Sequence, residues 1–266
     1  MNTNSNVYTV IYTTVVVVVV AAVLAFAAMQ FKPKQIANVK AETLSQMMAA
    51  AQLGEKAELS ALGNDAVLSK YSESIDEAFT INLKGEKVRD LSTELSNIEL
   101  IDNLKPQHKN IISGSDKTEL PVYVFKSGVT VVPVYGAGLW GPIWGYVAFQ
   151  TDGKTIAGAY FDHASETPGL GAKIKDDITF RQEFVGKKAL FQTEKIFNLA
   201  KNATKEGSDN AVDAISGATM TSQGLNEAIN IWLKAYETYF TTSSSTECET
   251  VCSEGESCKT ETAEEE

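Results

Sequence analysis

Three short stretches of this sequence combine hydroxyls, carboxylates and small backbone residues in spacings suited to a charged or planar ligand. The first, Asp213-Ala214-Ile215-Ser216-Gly217-Ala218-Thr219-Met220-Thr221-Ser222, stands directly before the strongest helical pattern in the chain. A helix start leaves backbone amides unpaired and carries a partial positive charge. A phosphate at Thr219 or Thr221 is therefore stabilised there, with Gly217 and Ala218 leaving space around it. Ordinary capping by Ser and Thr serves the same amides without a ligand. Nothing in hydroxyl chemistry singles out one threonine for covalent modification.

The second stretch, His163-Ala164-Ser165-Glu166-Thr167-Pro168-Gly169-Leu170-Gly171-Ala172-Lys173, sets rigid and permissive backbone beside a carboxylate, a hydroxyl and a cation. Pro168 fixes its own φ, and Gly169 and Gly171 allow positive φ. Backbone amides can then face one point while Glu166 and Thr167 offer polar contacts. A plain surface turn explains the same glycines. The third stretch, Gly136-Ala137-Gly138-Leu139-Trp140-Gly141, has the G-x-G-x-x-G spacing after a strand-like run. A dinucleotide site needs a helix opening at the third glycine, whereas Pro142 and Gly145 lead into another β-like run. The stretch is either a glycine-rich β-turn with Trp140 in the core, or a loop approached closely by some other planar ligand.

Several chemistries are disfavoured. The two histidines, His108 and His163, have no cysteine near them, so no zinc site is assigned, and no G-x-S-x-G elbow supports a hydrolase. No catalytic side chain is assigned. The net charge of -11 supplies no basic surface for nucleic acid. Residues 241–266 alone carry eight Glu and one Lys, so the body is only mildly acidic. Cys248, Cys252 and Cys258 all fall in that acidic tail, which leaves the body without a thiol and the redox compartment unread.

The elements that must position these stretches begin with an apolar end. No charged side chain occurs before Lys32, and Val7 to Met29 as a helix spans about 34 Å, the thickness of a bilayer core. A cleaved signal peptide is the rival, because Ala25-Phe26-Ala27 imitates a cleavage site. The stretch lacks a basic leading region, which favours a permanent anchor over residues 1–31. Lys32, Lys34 and Lys40 follow the span and lean weakly toward a cytoplasmic body. A helical stalk is expected over 32–77, and an α+β body over 78–240. Strands are read at Ala78 to Leu83, Val122 to Phe125, Val129 to Tyr135, Trp144 to Gln150 and Thr155 to Phe161, with a hairpin turn at Thr151 to Lys154. Helical patterns occur at Val88 to Asn103, at Glu194 to Asn202 and, most clearly, at Ser222 to Phe240, where Leu225, Ala228, Ile229, Trp232, Tyr236 and Tyr239 share a stripe. The tail over 241–266 is expected to be disordered.

Asp213-Ala214-Ile215-Ser216-Gly217-Ala218-Thr219 resembles the D-x-x-S/T-G-A-T flavinylation motif of FMN-binding domains, in which the last threonine is joined to FMN by a phosphoester. The H-x-x-E-T-P-G-L-G loop from His163 and the Gly138-Leu139-Trp140 stretch are also similar to that family, specifically to the C-subunit of sodium-pumping NADH:quinone oxidoreductases. The resemblance covers roughly residues 7 to 240. It implies one transmembrane helix and a single FMN-binding domain with an antiparallel sheet and flanking helices. It further implies FMN on Thr219, with Asp213, Ser216, Gly217 and Ala218 read by a flavin transferase. Glu166, Thr167, Pro168, Gly169, Leu170, Gly171 and Trp140 would line the flavin. The implied role is an electron-relay subunit of a bacterial inner-membrane complex that couples NADH oxidation and quinone reduction to Na+ export. In such a complex the chain is single-pass, its FMN domain extracytoplasmic, against the weak lysine bias. The alternatives are a component like the G-subunit of an Rnf ferredoxin:NAD oxidoreductase, or a membrane-tethered binding module with no redox role.

Overall fold

The computed structural model describes residues 6–91, 101–203 and 207–252, with side-chain surroundings for all of these but 101–102 and 243–252. The first element, α1 (Asn6–Ala50), is one helix of 45 residues, about 68 Å long. Its valine-rich first half is poorly suited to a helix in water. In an apolar solvent the helix is the one local conformation that pairs every backbone group, so the composition and the conformation agree. Val7 through Val39 project outward, and the helix is long and apolar enough to cross a membrane. From Ala41 on, the same helix is buried in the body, with Leu44, Met47 and Met48 fully enclosed. The segment expected to be a stalk is thus in part core, and the body starts well before residue 78. The helix stops where Gln52 takes φ 60°, and the Leu53 amide turns back to the Met48 carbonyl at 2.9 Å.

Two short helices, α2 (Lys56–Ala61) and α3 (Asn64–Ser74), lead into a six-stranded sheet. Its strands are β1 (Ile75–Ile81), β2 (Lys87–Asp90), β3 (Leu120–Phe125), β4 (Thr130–Ala137), β5 (Pro142–Phe149) and β6 (Ile156–His163), in the order β2-β1-β3-β4-β5-β6. Every pairing is antiparallel. Both faces are covered, so side chains alternate between two cores instead of between core and solvent. Val132, Val134, Val147 and Phe149 face one core, while Val131, Tyr146 and Ala148 face the other. The first core is closed by α4 (Ile101–Ser113), α5 (Lys173–Asp176), α6 (Ile178–Gln182) and α7 (Thr219–Cys252), the second by the end of α1 with α2 and α3. The α+β expectation and its antiparallel sheet hold. The Thr151 to Lys154 turn holds too, with Asp152 Oδ1 accepting the Lys154 and Thr155 amides at 2.9 and 2.8 Å.

Two helical expectations are corrected. Val88 to Asn103 begins as the edge strand β2, tied down by ion pairs from Lys87 to Glu77 at 2.6 Å and from Arg89 to Glu119 at 3.1 Å, and only its end enters α4. Residues 92–100 lie outside the described residues. Glu194 to Asn202 contains β7 (Asn198–Ala200), which pairs in parallel with β8 (Ala211–Asp213). Tertiary contacts override the local pattern there: the amides of Phe197 and Leu199 donate to Asn230 and Asn226 of α7 at 3.1 and 2.9 Å. The expected final stripe is buried, Tyr239 partly so, but α7 opens at Thr219 and runs to Cys252. The chain therefore stays helical beyond Phe240, where no Gly or Pro interrupts it before Gly255.

Candidate cofactor site

The site is assembled by where α7 begins. Gly136 and Gly224 let this helix lie directly on β4: a Cβ at Gly136 would meet the Ala228 Cβ at 2.6 Å, and one at Gly224 would run into the Ala137 carbonyl oxygen. Trp232 fixes the helix lengthwise, its Nε1 donating to the Tyr135 carbonyl at 2.8 Å and to His108 Nδ1 at 3.1 Å. The Tyr236 hydroxyl donates to the Pro121 carbonyl at 2.7 Å. Burial lowers the pKa of His108, which keeps its imidazole in the neutral form that accepts from Trp232. The result is that Thr219, the first residue of α7, emerges beside the turn between β4 and β5.

That turn and the loop after β6 are held together by one carboxylate. Glu166 is buried, and its Oε1 accepts the Trp140 amide at 3.0 Å while its Oε2 accepts the Thr221 hydroxyl at 2.6 Å. The Glu166 amide donates to His163 Nδ1 at 3.1 Å, and Ser165 Oγ to the Trp140 carbonyl at 3.0 Å. Gly138 and Gly171 are explained by this carboxylate, because a Cβ at either position would overlap a Glu166 oxygen. All three stretches singled out from the sequence therefore converge on a single side chain.

Between them lies an open cleft of about 190 Å³. Of the expected residues, Glu166, Thr167, Leu170, Gly171, Gly217, Ala218 and Thr219 line it. Leu139, Met220 and Thr221 join them. Thr221 stands out in the sequence by its hydroxyl. Met220 does not, and its place between two threonines at a helix start is the one signal that points to it. Thr219 is exposed and donates to no partner among the described residues. The Thr221 and Ser222 hydroxyls are engaged away from the first turn, Ser222 Oγ accepting the Ile215 amide at 3.1 Å. These two hydroxyls tie the helix start to the neighbouring loops.

The remaining expected residues sit around the cleft, not in it. Pro168 and Gly169 form the exposed outer bend of the loop, Gly169 at φ 75°. Trp140, expected to line a flavin, is 67% exposed and is not among the residues lining the cleft; of the two readings of its stretch, the one with Trp140 in the core does not hold, and its amide is what the fold uses. Asp213 and Ser216 line a separate groove, with Lys173, Asp177, Thr179 and Glu183. There the Asp177 carboxylate accepts the Thr179 hydroxyl at 2.6 Å, which holds its pKa below the ordinary carboxylate value.

The cleft suits a phosphate joined to a planar ring. No acidic residue occupies the first turn of α7, where the helix start favours an anion; the one carboxylate lining the cleft, Glu166, is buried and engaged by the Trp140 amide and the Thr221 hydroxyl. Leu139, Leu170 and Met220, each about half exposed, give apolar surface beside the Thr219 hydroxyl. The volume is below the roughly 300 Å³ of a small enclosed ligand pocket, so the cleft could cover only part of a ligand with a planar ring.

Residues 138–234 match the family model described as FMN-binding domain. The chain is 38% identical over 117 residues to the C-subunit of the Na(+)-translocating NADH-quinone reductase of Vibrio campbellii, covering 42% of this chain and 44% of that relative. To the same subunit of Vibrio parahaemolyticus it is 29% identical over 228 residues, 79% of this chain and 84% of the relative. The crystal structure of the corresponding subunit from Parabacteroides distasonis is similar with a TM-score of 0.64 and 30% identity, covering 79% of this chain and 96% of that one. The match thus spans less than half the length of the Vibrio campbellii relative, and most of the length of the other two.

Proposed function

Because the chain belongs to the family of the Na(+)-translocating NADH-quinone reductase C-subunit, we propose that it is an electron-relay subunit of such a complex, carrying FMN joined to Thr219 by a phosphoester. The observation that carries this reading is the convergence of the three stretches on one cleft, with an exposed threonine hydroxyl at the start of α7.

FMN supplies one-electron and two-electron redox chemistry that no side chain here offers. The protein's part is placement. The Thr219 hydroxyl would be the point of attachment, and the first turn of α7 would stabilise the phosphate charge. Leu139, Leu170 and Met220 would offer apolar surface to the ring, and Glu166 holds the two loops that carry Leu139 and Leu170 together. The cleft is open to solvent, so a ring held there would be accessible at an edge, which is what electron exchange with a docking partner requires. The groove at Asp213 and Ser216 offers a flavin transferase a face that the flavin itself does not occupy.

The partners in this reading are the other subunits of the complex. The membrane is crossed once by α1, and the FMN domain faces the extracytoplasmic side of a bacterial inner membrane. The names of the relatives favour the sodium pump over the Rnf-type alternative. The relay is tested by rapid mixing. The purified flavin-bearing chain is expected to keep its flavin absorbance when NADH alone is added, and to lose it when NADH is added together with the remaining subunits. Bleaching by NADH alone, or no bleaching in either case, contradicts the relay.

A further inference from the structure

We propose that Asp162 is a positioning residue that ties the cofactor loop to the membrane helix, so that the setting of α1 fixes the setting of the cleft. The inference rests on the flavin reading above. Asp162, near the end of β6, is 4% exposed, and its carboxylate collects donors from three directions. The His163 amide donates to Oδ1 at 2.7 Å, at the very start of the loop. Lys175 Nζ, in α5 just past the end of the loop, lies 2.9 Å from Oδ1 and 3.0 Å from Oδ2. Gln46 Nε2, from the buried end of α1, donates to Oδ2 at 2.8 Å. Gln46 is itself fully enclosed, and its Oε1 accepts the Trp144 indole at 3.4 Å.

Burying this charge is not required to bury α1, since Leu44, Met47 and Met48 already pack the helix against the sheet. A buried ionic group often adds little to stability over an apolar replacement. Its use is to specify one arrangement, because any other leaves the charge short of donors. Here the specified arrangement has three members: the base of the loop is pinched between His163 and Lys175, and α1 is held in the one axial position at which Gln46 reaches the same carboxylate. A slip of one residue along α1, about 1.5 Å, breaks that contact. Pro33 removes one backbone hydrogen bond between the apolar span and Gln46, yet the helix runs on through it, so a displacement of the membrane segment is delivered to the loop bearing Glu166 and Leu170.

The test uses the full chain in detergent with its flavin attached, comparing Gln46→Leu, Asp162→Asn and Lys175→Met with the unaltered protein. Gln46→Leu keeps volume and helix propensity while removing the donor. Two readouts lie away from the substitution: amide exchange at Leu170 and Ala172, and iodide quenching of the flavin. Exchange at both amides is expected to speed up by about tenfold, as a local opening becomes easier, and the quenching constant and midpoint potential to shift in all three variants. Should Asp162→Asn fail to fold, the other two variants decide. Lowered melting temperatures with unchanged loop exchange, quenching and potential overturn the proposal and leave Asp162 a structural residue. A wild-type chain without flavin would sink the flavin reading, and the exchange rates would still report whether α1 and the loop are coupled.

Discussion

Glu166 holds the site together by accepting from residues 26 positions before it and 55 after it, a pairing that no local pattern announces. The glycines around it are visible in the sequence as glycines, yet Gly138 and Gly171 serve the Glu166 carboxylate before they serve any ligand. Residue types and spacing make the Thr219 motif legible. What they leave hidden is the burial of each side chain, which is why the sequence leaves Trp140 open between core and ligand loop, and the structure puts it at the surface. Glu166→Ala would leave the Trp140 amide and Thr221 hydroxyl without their acceptor, and is expected to lower stability by about 1–3 kcal/mol in denaturant unfolding, with Glu166→Gln costing less because one amide oxygen still accepts. At Gly217, φ is 80° and an added Cβ would come within 3.0 Å of Leu170. Gly217→Ala is therefore expected to reduce flavin incorporation in a fluorescence assay while leaving a folded body.

The elements that set these residues in place are α7 and the strand beneath it. Its apolar stripe is readable because its period persists for about five turns. The exact start is not, because Thr219 is placed by Gly136, Gly224 and the Trp232 anchor, all of them tertiary features. Short elements escape the local pattern for the same reason: β2 and β7 exist through ion pairs and asparagine contacts from distant residues. Gly224→Ala would press a methyl group onto backbone oxygen, which cannot move as a flexible side chain would. A loss of about 3 kcal/mol is expected in thermal or urea unfolding, with loss of flavin attachment if α7 shifts. His108 gives this helix a pH dependence. Its pKa in the folded chain lies below the ordinary 6.5, so the stabilisation is fully present above that value and is lost as pH falls through the folded pKa. Melting temperatures measured from pH 8 down to pH 5 are expected to fall, and to fall less in His108→Gln, which cannot take up the proton.

At the scale of the whole molecule, α1 joins two environments in one helix. The apolar span is evident from composition, since residues 1–31 carry no charge. That the same helix then enters the core is not evident, because the buried Thr43, Ser45 and Gln46 interrupt the apolar pattern that marks a core helix. A chain shortened to begin at residue 36 keeps Leu44, Met47 and Met48, and is expected to be soluble and to melt as the full body does. One beginning at residue 53 loses those side chains and opens the second core, and is expected to aggregate, as light scattering would show. The central claim is a flavin on Thr219, and the most direct measurement is in-gel fluorescence of the denatured chain after co-expression with a flavin transferase, beside Thr219→Ala. A fluorescent wild-type band that disappears in the variant is the predicted result. A dark wild-type band, with the transferase active on another substrate, or a variant band as bright as the wild type, would contradict it.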